Sequence, residues 1–388
     1  MRYGKRNRTV LISGMMAGDP HQGGATWAIL QYILGFEGLG YDVYCIEPVS
    51  SDKLKAGIPL RLSKMAGYFR SITQTFGIED RCALLLDGTK QTVGLPYERL
   101  QSIAANADVL LNVSGMLKRE ELTSKIPVRM YLDLDPAFNQ LWHAFEGIDM
   151  RFAAHNIFVT VGNAIGTPAC SVPTCGLNWI RTFQPVVLNY WQYGGSITYN
   201  AFTTVANWRG YGSIHHDGVM YGQKAHSLRE FMDLPKLTSE EFILALNIHP
   251  AERKDLDALS VSGWKLVDPY QVTSTPVTYH RFVQGSKAEF AVAKSGYVAA
   301  RCGWFSDRSA CYLASGRPVV AQETGFSEWL PCGEGLFQFS TRAEAMAAIE
   351  AVNADYARHS RAARGIAADY FESDRVLSRL MSAAGVPT

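Results

Sequence analysis

The chain has 388 residues, 47% of them hydrophobic, more than one compact core usually holds, so two domains of roughly 150 to 200 residues are expected. Lys and Arg total 37 against 36 Asp and Glu, a net charge of +1 with no long basic run, which excludes the electrostatic footprint of a nucleic-acid-binding protein. No apolar run approaches the roughly 18 residues that span a bilayer, and the opening MRYGKRNRTVLISG lacks the apolar segment of a secretory signal, so a cytoplasmic protein is expected.

TVLIS at 9–13 is a β-branched run that predicts a first strand. The Gly-rich loop GMMAGDPHQGG follows, then a helix with apolar residues at Trp27, Leu30, Ile33 and Leu34, then a second strand in YDVYCIE at 41–47. Such a unit implies two parallel strands joined by a crossover helix. Further strands are predicted in CALLLD (82–87), DVLLNVSG (108–115), VRMYLDLDP (128–136) and HNIFVTVG (155–162); their nearly continuous Val, Ile and Leu imply burial on both faces. Between about 163 and 200 the pattern breaks into a Gly-, Pro- and Trp-rich stretch, which puts a hinge near Pro185 and divides the chain into domains 1–184 and 185–388. A second α/β alternation then begins with FTTVANW (202–208), FILALNI (242–248) and WKLVDP (264–269). A helix is predicted over about 286–300, with Ser286 and Glu289 as its capping box and Lys294, Tyr297 and Arg301 on one face. A helix over 307–315, strands in PVVAQE (318–323) and GLFQFS (335–340), and two or three terminal helices that pack back on the first domain complete the chain. Seven scattered cysteines without a C-x-x-C pair indicate neither a disulfide framework nor a structural zinc site.

Two α/β domains facing one another create a crevice lined by strand carboxyl ends and helix amino ends, where open α/β sheets bind ligands. Four features point into it. Gly23 and Gly24 stand just before the first helix, so its amides are open to an anion, although the spacing is not G-x-G-x-x-G and a nicotinamide-dependent oxidoreductase has little support. Lys294 lies on an apolar helix face, a setting in which a cation meets phosphate. In CGWFSDRSACYLASGRP, Ser306 suits an N-cap, and Gly316 and Pro318 end the helix; Arg308 in the first turn opposes the helix dipole unless an anion offsets both. That mismatch, with Ser309 beside it, motivates a diphosphate site. QETGFSEW then puts Glu323, Thr324, Gly325 and Phe326 at a strand end, where a carboxylate and backbone amides suit sugar hydroxyls. H-E-x-x-H, G-x-x-x-x-G-K-[ST] and G-x-S-x-G are all missing, so metalloprotease, P-loop and α/β-hydrolase readings lose their support.

GGATWAILQYILGFEGLGYDVYCIE resembles the Gly-Gly loop, helix and second strand that open many glycosyltransferases of the GT-B fold, and CGWFSDRSACYLASGRPVVAQETGFSEWL resembles their donor-binding strand-loop-helix-strand segment. The resemblance implies two Rossmann-like doubly wound α/β domains facing a central cleft, with a nucleotide diphosphate-sugar co-substrate on the second and the acceptor on the first. It implies no metal and no other cofactor. It also implies phosphate contacts from Arg209 and Lys224, in and after TTVANWRGYGS. Retaining members of the class commonly carry two glutamates seven residues apart; Gly303 and Cys311 occupy approximately those positions here, and Asp307, one helical turn before Cys311, is expected to take the ribose or sugar role. The plant-type inverting signature is partly matched, with Arg301 in its histidine position. An inverting reaction needs a base from the first domain, expected at His21 or at Asp135, which is closer to the strand end than Asp133. A sugar-nucleotide epimerase and a non-catalytic nucleotide-sugar-binding protein are the alternatives. The acceptor, the sugar, the nucleobase and the oligomeric state are left open.

Overall fold

The computed structural model describes residues 7–387, so residues 1–6 of the stretch inspected for a signal lie outside it. Its first half is one sheet of β1 (Thr9–Ser13), β2 (Asp42–Val49), β3 (Cys82–Leu86), β4 (Thr92–Gly94), β5 (Val109–Val113), β6 (Val128–Asp133), β7 (Ile157–Thr160) and β8 (Trp179–Arg181), in the order β4-β3-β2-β1-β5-β6-β7-β8. All neighbours are parallel except β3 and β4. The apolar runs make the central strands: every residue of β1, β3 and β5 is buried, because helices cover both faces of a parallel sheet.

The second half contains β9 (Tyr199–Asn207), a small antiparallel hairpin of β10 (Ile214–His216) and β11 (Val219–Tyr221), then β12 (Phe242–Asn247), β13 (Lys265–Val267), β14 (Ser286–Ala291), β15 (Val319–Gln322) and β16 (Leu336–Phe339). Its sheet is wholly parallel, in the order β13-β12-β9-β14-β15-β16. Strand order reverses at β1 in one sheet and at β9 in the other, and ligand crevices form at such switch points.

The predicted helix over 286–300 is corrected: the segment is β14 followed by a short helix, Ser295–Ala300. Ala, Lys and Glu favour helix, but this stretch lies between β9 and β15, and both ladders plus burial of Ala288 and Phe290 outweigh a propensity worth a few tenths of a kcal/mol per residue. The expected capping box at Ser286 and Glu289 is therefore absent; Glu289 is a fully buried strand residue.

The halves are in close contact. Trp27 Nε1 donates to Pro276 O at 2.8 Å and Tyr68 Oη to Ser274 O at 2.9 Å. The C-terminal helix Ser373–Ala383 packs on the first-half helix Gly23–Gly38, whose Gly35 has Leu377 and Ser373 where a Cβ would stand. No helix among the described residues is long and apolar enough to cross a membrane.

Candidate nucleotide-sugar cleft

A cleft of about 590 Å³ lies between the carboxyl ends of the two sheets. From the first half it receives the segment 20–25, where the loop after β1 enters the helix Gly23–Gly38, including His21, Gly23 and Gly24. His21 has a left-handed backbone, φ 70°, and its ring sits between those of Tyr68 and Tyr270, at 5.4 and 4.9 Å. Gly23 is where it is for want of space: a Cβ would collide with the main-chain carbonyls of Thr275 and Thr273, and one on Gly24 with the Tyr279 ring.

The approach to that loop is fixed by Glu47 of β2. Its buried carboxylate accepts from the amides of Met16 at 3.0 Å, Ala17 at 2.8 Å and Gly18, three successive donors. Burial pushes the carboxyl up to about 7 even though those amides favour its charge.

The second half supplies the cations. Arg308 opens the helix Asp307–Ala314, and the anion that offsets it is inside the protein: Nε pairs with Glu289 of β14, and Nη1 donates to Val205 O of β9 at 3.0 Å. Among the described residues its Nη2 and the Oε2 of Glu289 have no hydrogen-bond partner. The expectation that a ligand anion alone offsets Arg308 is thus corrected, because the strand at 286–291 brings Glu289 beneath it. Lys224, the first residue of the helix Lys224–Glu230, is buried and donates to Val292 O. Burial first, and then neighbouring Arg308, pull its ammonium well below its ordinary value. Among the described residues no carboxylate pairs with it within 4.0 Å.

Lys294 precedes the helix Ser295–Ala300 and reaches across to the first half. Its Nζ is 3.1 Å from both carboxylate oxygens of Asp135, which also accepts from Tyr211 Oη at 2.5 Å and from Tyr297 Oη. Asp135 is in turn set by Asp133, whose Oδ1 takes the Asp135 amide at 3.1 Å while Asn139, Gln140 and Thr160 hold the same buried carboxylate. Burial pushes Asp133 up to about 6. Arg301 departs from Lys294 and Tyr297: it ends its helix in the left-handed region and turns to Glu328.

Of the other predicted residues, Ser306 and Asp307 line the cleft; Ser306 is the N-cap but its hydroxyl makes no capping bond, and burial raises the Asp307 carboxyl. Arg209 lies outside the cleft wall, paired with Glu252 at 2.5 Å. Ser309 and Phe326 border a separate small void behind the helix start. Thr324 donates to Trp304 O at 2.5 Å and takes no part in the cleft wall, and Gly325 turns its amide back on Glu323. Glu323 to Phe326 stand just past the end of β15, and Gly303 N bonds Thr324 O at 2.7 Å. Cys311 points away from the cleft towards Gln31.

The sequence reading missed Tyr211, two residues past Arg209 in the same loop, and the cleft-lining set Asn207, Asn247 and Tyr270. All stand at or just past strand carboxyl ends, which is the one signal that could have found them.

No family model and no curated protein matches the chain. Solved structures do. An α-glucosyltransferase in complex with UDP and DNA superposes with a TM-score of 0.59 at 10% identity, covering 97% of this chain and 99% of that one. The Anabaena protein HepE in complex with UDP and glucose gives 0.59 at 11% identity over 97% of this chain and 100% of its own. A Rickettsia africae glycosyltransferase gives 0.55 at 11% identity over 98% of both. The fold is that of the GT-B glycosyltransferases.

Proposed function

We infer that this protein is a glycosyltransferase that moves a sugar from a nucleotide diphosphate-sugar to an acceptor hydroxyl or similar nucleophile. The observation that carries the reading is the gathering of Lys224, Lys294 and Arg308 around the amino end of the helix Asp307–Ala314, in a cleft at both switch points. Departure of a nucleoside diphosphate builds negative charge, and cations and amides fixed beforehand stabilise it without first reorganising. In this reading the same three side chains, rather than a metal, meet that charge.

In this reading residues 185–388 hold the donor and residues 1–184 the acceptor. Lys224, Lys294 and Arg308 face the diphosphate, with Ser306 at the helix start and Gly23 and Gly24 across the cleft. Asp307 faces the ribose or the sugar. If the reaction inverts, His21 is the better base, because Asp135 already accepts from one ammonium and two phenols. A similar fold solved in complex with UDP and glucose favours a uridine donor as the first to try. We place the reaction in the cytoplasm.

The test is incubation with UDP-, dTDP- and GDP-sugars. Donor hydrolysis or transfer supports the reading. Interconversion of sugars without release assigns an epimerase instead, and thermal stabilisation without turnover assigns a binding protein; either outcome overturns it.

A further inference from the structure

The formal charges around the diphosphate position show no excess of cation: three cations stand against four carboxylates. Two of the three cations are paired inside the protein, Lys294 with Asp135 and Arg308 with Glu289, while Asp307 and, on the far wall, Asp268 add further carboxylates to the cleft beside Lys224. A diphosphate entering with two or three negative charges meets no surplus of cation unless an internal pair opens. The two pairs differ in how readily they do so. Glu289 is fully buried in the middle of a six-stranded sheet, and Arg308 is tied both to it and to Val205 O, so separating them leaves an unpaired buried charge. Lys294, which lines the cleft, and its partner Asp135 retain 23% and 24% side-chain exposure, and lysine is a point charge on a flexible stem.

Resting on the glycosyltransferase reading, we propose that Lys294 exchanges counter-ions: Asp135 holds it while the cleft is empty, and the donor's diphosphate takes it when bound. No covalent bond changes. Asp135 does not become an orphan, because Tyr211 and Tyr297 still donate to it from the second half after the ammonium leaves. The ring of Tyr211, 4.3 Å beneath Lys294 Nζ, gives the ammonium an apolar and π-rich surface over which to swing. Asp135 is therefore a competitor of the ligand rather than a proton acceptor, and it ties the first half to the occupancy of the second.

This makes an unusual prediction of sign: removing an acidic side chain tightens binding of an anion. Calorimetric titration of the full chain with UDP should give an Asp135→Asn variant with roughly tenfold higher affinity than the unaltered protein, a difference of about 1.4 kcal/mol. Lys294→Met should lose about tenfold, and adding Asp135→Asn to it should restore nothing, since the competition needs the ammonium. Inorganic pyrophosphate should show the same gain as UDP. Asp135→Ser serves if the asparagine variant fails to fold. Affinity of both Asp135 variants equal to or below that of the unaltered protein overturns the proposal, as does a gain that persists without Lys294 or is missing with pyrophosphate. Lost turnover with unchanged UDP affinity would make Asp135 a base and overturn it too. If the unaltered protein binds UDP and the variants do not differ, this inference alone falls; if it binds no nucleoside diphosphate, the glycosyltransferase reading falls with it.

Discussion

Each half sets a helix amino end beside the carboxyl ends of its sheet, and the two treat anions differently. After β1, three successive amides that would suit a phosphate are filled by the protein's own Glu47, and Gly23 is pressed against Thr275 of the other half. Around the helix Asp307–Ala314 some donors are left over: among the described residues Arg308 leaves one guanidinium nitrogen unpaired and Lys224 donates to a carbonyl alone. The amides of the first turn are taken up within the protein; the donors around the second are taken up only in part. Similar topology therefore does not give similar chemistry. The difference lies in how many donors the neighbouring strand's carboxylate takes up: Glu47 accepts from all three amides, whereas Glu289 takes only part of what Arg308 offers.

Breaking the second turn should cost most. Arg308→Ala leaves Glu289 charged, buried and alone, and should destabilise the protein by about 3–5 kcal/mol in urea denaturation. A loss under 1 kcal/mol would mean the pair is not the floor of the cleft. In the first half, Gly23→Ala drives a methyl into the Thr275 carbonyl and should cost about 1–3 kcal/mol, with the protease sensitivity of the 269–276 segment rising alongside.

Glu47 gives a pH signature. Its folded value of about 7 lies above the ordinary 4.5, so the folded state holds the proton more tightly than the unfolded one. The stability this contributes is complete below pH 4.5 and fades as pH rises through 7. Glu47→Gln cannot titrate, so the stability gap between the unaltered protein and the variant should be widest near pH 4.5 and narrow towards pH 8; a gap independent of pH would refute a buried, titrating carboxylate. The smallest effect is expected outside the cleft: Arg209→Ala removes a half-exposed pair with Glu252 and should cost less than about 1 kcal/mol, with UDP affinity held within about twofold. A larger loss of affinity would return Arg209 to the site.

The resemblance to GT-B enzymes was visible in two short stretches, and the alternation of apolar runs led to the right architecture because a parallel strand buried on both faces leaves a continuous apolar signature in the sequence. Local chemistry was equally legible where neighbours in the chain settle it: Gly316 and Pro318 end the helix Asp307–Ala314 close to the expected place, and Lys224, Ser306, Asp307 and Arg308 do line or border the cleft. What failed was long-range. Glu289 looked like a helix cap because its neighbours favour helix, and only pairing of β14 with β9 and β15 makes it the partner of Arg308.

The sequence by itself determined the layered α/β alternation, the glycine positions and the set of charged residues available to a site. The tertiary structure alone decided which charges meet, since Asp135 and Lys294 are 159 positions apart and Glu289 and Arg308 lie on different elements. The reason is physical: periodicity and capping are set within a turn or two of the chain, whereas a charge acquires its role from whatever the packed sheets bring within a few ångströms of it.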